Sequence, residues 1–166
     1  MSEASPTEAL FVTTAIKAWD AWQGRATKLF DSLTDDQLQT EIFPGKNRPI
    51  YLLGHLIAVN DGMIPQLRLG EANFPTYRDL FITKPDHAVP DSELPSIATL
   101  RQNWKDVHQQ LSQHFAKLTP AEWLERHATV SEEDFSKEPH RNRLSILLSR
   151  TSHISYHVGQ LILRAK

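Results

Sequence analysis

Ile97, Trp104, Leu111 and Leu118 stand seven residues apart, and Leu100, Val107 and Phe115 fill the same face between them. An odd spacing kept over this length suits a long helix lying along other helices, because a strand would throw alternate members of the set onto opposite sides. Three more segments carry helical spacing. Ser5-Pro6-Thr7-Glu8 is a capping box with proline at the first helical position, and it opens a run through Phe11, Ala15, Trp19, Trp22, Ala26, Leu29 and Leu33. A second run begins near Pro49 with Leu52, Leu53, Leu56, Ile57, Ile64 and Leu67. The last has Leu144, Leu147, Leu148, Thr151, Ile154, Val158, Leu161 and Ile162 on its core face. The expected fold is all-α: four helices, with Trp19, Trp22, Trp104 and Trp123 at apolar positions that core packing accounts for.

Between the periodic runs lie the connections. Thr34-Asp35-Asp36-Gln37 and Thr119-Pro120-Ala121-Glu122 read as cap signatures, each following a Phe-x-x-Leu. This echo fits either two related hairpins or a common way of leaving one helix and entering another. Residues 70–91 hold Pro75, Pro85 and Pro90 and no sustained period, so they read as a crossover between the second and third helices, with Phe74, Tyr77, Leu80 and Phe81 packing onto the bundle. The third helix is expected from about Ser92, and Thr129 to Pro139 as a polar link. Asn60-Asp61-Gly62 and Pro65 locally favour ending the second helix near Val59.

The chemistry lies in the histidines. Of eight, only His153 and His157 stand four apart within one helical run, on one face and about 6 Å apart at Cβ, so two imidazoles can converge on one cation. A third ligand must come from elsewhere, and His55, in the apolar run Tyr51 to Ile57, is the best candidate. Three neutral imidazoles bind Zn, Ni or Fe and leave coordination positions open. On a helical wheel His153 and His157 lie more than about 90° from the apolar face, outside the core, and His55 is similarly displaced on its own helix. A solvated polar face and the wall of a polar cleft both fit this pattern, since Arg150, Gln160 and Arg164 lie on the same side. The matching displacement on two helices favours the cleft. Tyr156 and Gln160 are candidates to line it, and Asn60 and Asp61 are near enough in sequence to hydrogen-bond a ligand. His87 reads as a solvated loop residue, and His108, His114, His127 and His140 as structural or exposed.

His153-x-x-Tyr156-His157-x-Gly159-Gln160 near the C-terminus, with Gly54-His55-Leu56 in the second helix of a small helical chain, resembles the DinB/YfiT-like superfamily of metalloenzymes. The resemblance spans nearly the whole chain. It implies a four-helix bundle holding a divalent metal on His55, His153 and His157, and a second helix that continues to about Leu69 with a kink between Gly62 and Pro65. Tyr156 departs from the pattern, standing where many members carry another histidine. Superfamily members include transferases and an isomerase that use low-molecular-weight thiols, so a thiol cosubstrate is compatible.

Composition narrows the partners. A formal charge of −2 with no basic run argues against nucleic acid. The absence of cysteine removes thiolate ligands and cysteine nucleophiles. The 166 residues fit one domain, 1–166, and no apolar stretch approaches the roughly 20 residues of a membrane span. Met1 to Pro6 lacks the basic and apolar regions of a signal peptide, so cytoplasm is the expected location. There is no His-Glu-x-x-His, no Gly-x-Ser-x-Gly and no phosphate loop. The sequence therefore points to a metal-dependent enzyme of hydrolase or thiol-transferase type acting on a small molecule. The alternatives are a stress-response or other binding module whose metal is structural, and a metal-free helical interaction protein. A homodimer is compatible with the apolar content of the first and third helices.

Overall fold

In a computed structural model of the chain, residues 5–163 are described. Met1–Ala4, on which the reading of the N-terminus partly rests, and Arg164 lie outside the described residues. Helix α1 runs Pro6–Ser32, and Ser5 closes the capping box with Glu8 as its spacing requires. α2 is Asp35–Gln39, capped by Thr34; α3 is Pro49–Asp61; α4 is Met63–Gln66. After the crossover come α5, Ile97–Phe115; α6, Pro120–Trp123; α7, Glu132–Lys137; and α8, Arg143–Ile162. No strand forms among the described residues, and the fold is all-helical.

The four long elements, with α3 and α4 as one, pack around a shared core. α1 lies along α8, and α3 along α5, while α3 also meets α8. α1 and α5 are joined by Trp104, whose indole N–H donates to Thr27 Oγ1 at 2.9 Å and whose ring packs edge-on against Phe30. Arg101 of α5 donates to the carbonyls of Phe30 and Leu33 at the C-terminal end of α1, where the helix has no bonds of its own to offer them. Trp19, Phe30, Leu53, Leu56, Ile57, Leu100, Leu111, Trp123, Leu147 and Ile154 are all buried in one cluster. Large apolar side chains left exposed include Leu10, Phe11 and Leu148 on α1 and α8, not on α5.

Boundaries differ from expectation in three places. The second helix does pass Val59, but it breaks at Gly62 and stops at Gln66, not Leu69. Arg68 takes a left-handed φ of 59° that turns the chain away. The third helix begins at Ile97 because Ser96, and not Ser92, caps it by accepting from Thr99 N–H; residues 91–93 form a separate 3-10 turn. The polar link contains α7, capped by Ser131.

The crossover is tied to α3 along its length. Arg48, just before α3, donates through its side chain to Asp86 and Asp91, and its backbone N–H donates to Asp86 as well. Tyr51 donates to the carbonyl of Lys84, and Asp61 accepts from the backbone N–H groups of Asn73 and Phe74. Inside it, Asp79–Thr83 forms a π-helical turn, a geometry that often marks functional positions.

Candidate metal centre

α3 supplies His55 and α8 supplies His153 and His157, and their ring nitrogens meet. His153 Nε2 lies 3.2 Å from His55 Nε2 and 3.0 Å from His157 Nε2. One ligand nitrogen from each of the three lies within 4.8 Å of the others. Metal–nitrogen bonds of about 2.0–2.1 Å place neighbouring nitrogens about 2.9–3.4 Å apart in facial octahedral or tetrahedral coordination, so the two printed separations fit a common cation.

Tautomers make the fit more than a matter of distance. His55 Nδ1 lies 2.8 Å from the carbonyl oxygen of Phe81, which can only accept, so the proton sits on Nδ1 and Nε2 keeps its lone pair. His157 Nδ1 likewise donates to Gln160 Oε1 at 2.7 Å. The Gln160 amide is oriented in turn by donating to Tyr156 Oη at 3.2 Å. Two lone pairs therefore face His153 Nε2, which can offer a proton to only one of them. A cation at the centre would satisfy all three Nε2 atoms; the His153 proton would then sit on Nδ1, which is buried with no partner among the described residues.

Charge follows the same logic. Burial pushes the imidazolium form of His153 down to about 4, helped by His157, His55 and the positive charge of Arg150. Burial also brings His157 to about 4, against the opposing bond to Gln160. His55 is lowered by burial as well, with the Phe81 carbonyl resisting. Neutral imidazole is the metal-binding form.

Phe81 reaches His55 because residue 54 is glycine. A Cβ there would stand 2.4 Å from the Phe81 ring, which is wholly buried against α3. Tyr51 stacks on the His55 ring from the preceding turn, at 6.3 Å between centroids and 14° between planes.

With the geometry in hand, comparison with known families is decisive: the sequence pattern of the DinB superfamily matches residues 18–161. The chain belongs to the DinB superfamily. Membership and the three-histidine group together fit a metal-binding role. No curated protein matches the chain.

Of the two residues expected to line the cleft, Gln160 bonds His157 Nδ1 and donates to Tyr156, whose side chain is exposed. Asn60 and Asp61 do not join them. Asn60 donates to His108, and Asp61 serves the crossover. Five and six residues beyond His55, they point about 140° and 120° away from it around the helix. His157 is buried, against the expectation that it lies outside the core, because α3 packs over the face that the apolar pattern of α8 leaves polar. His87 pairs with Glu41 at 3.4 Å, away from the cluster. Neither the Phe81 carbonyl nor the role of Gly54 was foreseen; the only sign was glycine directly before a candidate ligand.

Proposed function

We propose that this DinB protein is a divalent-metal-dependent enzyme of hydrolase or thiol-transferase type, with His55, His153 and His157 as its protein ligands and a small molecule as substrate. The observation that carries the reading is the pair of fixed tautomers, which turn two Nε2 lone pairs toward His153 Nε2. Zinc, nickel and iron all suit such donors. A cation held there supplies Lewis acidity, lowering the pKa of water or a thiol in an open position. The chain's own residues hold and aim the ligands: Phe81 and Gln160 fix two ring orientations, and Tyr51 limits how His55 can turn.

A second reading, in which the metal merely clamps α3 to α8, draws on the way the cluster spans those two helices. Structural zinc sites normally take four protein ligands, whereas three meet here among the described residues, and this favours the enzyme. A cytoplasmic location and a homodimer belong to the same proposal, the latter supported by the exposed Leu10, Phe11 and Leu148 and tested by sedimentation.

Elemental analysis of the purified protein and of His55→Ala and His153→Ala, followed by a screen with thiol cosubstrates and simple esters and amides, tests the reading. One metal per chain, lost in both variants together with any activity, is the expected result. Metal content unchanged in both would end it.

A further inference from the structure

Phe43, in the turn between α2 and α3, and Leu163, at the end of α8, are more than half exposed, and both line one pocket of about 430 Å³. Ile42 and Leu52 extend its apolar wall. The turn is held in shape by the Lys46 N–H, which donates to the Phe43 carbonyl at 2.9 Å, and by Gly45, whose φ of 74° suits glycine. The polar side chains of the lining are one ammonium, Lys46, and two amides, Asn47 and Gln160. No carboxylate lines the pocket among the described residues. Glu41, the carboxylate of the same turn, accepts from the Gly45 N–H at 2.9 Å and lies 3.4 Å from His87 Nε2, which leaves Lys46 without an ion pair among the described residues.

Gln160 belongs to this pocket and to the metal centre at once. Its Oε1 accepts from His157 Nδ1 at 2.7 Å, and its Nε2 donates to the exposed Tyr156 hydroxyl at 3.2 Å. An amide nitrogen carries two N–H groups, so one is left for a ligand. Leu52 lies one turn before His55, and Gln160 one turn after His157, so both helices put the pocket at the same end of the cluster. None of the three histidines lines it, and a molecule held there needs no contact with the ion.

We infer that this pocket binds a small carboxylate with an apolar chain, its charge between Lys46 and the spare Gln160 N–H and its chain against Phe43, Leu52 and Leu163. An acceptor on that N–H polarises the amide, which strengthens its bond to His157 Nδ1 and the donor power of His157 Nε2. The carboxylate is then an effector of the metal centre and not its substrate. That consequence rests on the proposed metal site; the binding itself does not. By linkage, ion and carboxylate tighten each other by the same factor.

Hexanoate and hexanamide share a chain and differ in charge, so the pair isolates the contribution of Lys46. Each is titrated into the metal-free full chain while backbone amide shifts are followed. A preference for hexanoate of about threefold, the scale of an exposed ion pair, is expected, with movement at Lys46, Asn47, Gln160 and Leu163. Lys46→Gln, at an exposed turn position, is expected to remove the preference and leave the circular dichroism unchanged. Saturating hexanoate is expected to raise zinc affinity about two- to threefold in wild type and to leave it unmoved in Lys46→Gln. No preference in metal-free wild type, a preference that survives Lys46→Gln, or shifts that avoid the turn would overturn the site. A gain in zinc affinity that survives Lys46→Gln would mean that hexanoate ligates the ion itself, and would overturn the effector role, as would no gain in wild type. A chain that holds no zinc yet prefers hexanoate in this way would sink the proposed enzyme and leave the carboxylate site standing.

Discussion

Gly54, Phe81 and His55 form a chain of dependence in which a missing side chain admits a ring and that ring's backbone oxygen sets a ligand's tautomer. Gly54→Ala is expected to cost about 1–3 kcal/mol through overpacking, and to weaken zinc about tenfold as the Phe81 carbonyl shifts. Melting and competition with a chelator would show both effects. Gln160→Leu leaves the fold alone but removes the acceptor on His157 Nδ1; zinc affinity is expected to fall about 10–100-fold with the circular dichroism unchanged. His108 plays a different part. Its Nδ1–H donates to the Trp104 carbonyl and its Nε2 accepts from Asn60, so it is a neutral strut between α5 and α3. Burial lowers it from 6.5 to about 4. Below pH 6.5 the unfolded chain takes up a proton that the folded chain refuses, so stability is full above that value and falls as pH drops toward 4. The loss attributable to this residue is roughly 3 kcal/mol. Denaturant titrations across that window are expected to show a flatter pH dependence in His108→Gln than in wild type; equal slopes would refute the assignment.

At the scale of elements, the crossover supports the site. Arg48 and Asp86 are both almost fully buried, and their ion pair fixes the segment beside the first turn of α3. Burial pushes the Asp86 carboxyl up, but the bonds and charge of Arg48 outweigh it and leave the group below its ordinary range. Arg48→Met strands that carboxylate, with an expected loss of about 3–5 kcal/mol and faster amide exchange over residues 79–86. The helices were legible because apolar spacing and caps are local: Ser5 with Glu8, Thr34 with Gln37 and Thr119 with Glu122 all close as capping boxes. The three histidines were legible from one spacing and one resemblance. What the crossover does was not, because it acts through a backbone carbonyl and a ring seated on a glycine, which leave no periodic trace. Asn60 and Asp61 were misplaced by reading nearness along the chain as nearness in space, although helical rotation alone turns both away from His55.

Across the whole molecule, the cluster joins two helices far apart along the chain, His55 and His153 being 98 residues apart, so a metal held there would couple binding to folding. At a free zinc concentration 100 times its dissociation constant, the loaded protein is expected to gain about 2.7 kcal/mol over the metal-free one. His157→Ala should remove that gain while leaving metal-free stability within about 1 kcal/mol, because the hole it leaves lies in a polar wall. Loaded and metal-free melting curves of both proteins would establish this. In the proposed function three imidazoles from α3 and α8 hold one ion and leave room beside it. X-ray absorption at the zinc edge of the loaded protein tests it most directly. Three nitrogen neighbours at about 2.0–2.1 Å with imidazole scattering, plus one or two exchangeable oxygens, are expected. Four protein donors, or an unaltered spectrum in His55→Ala, would contradict it.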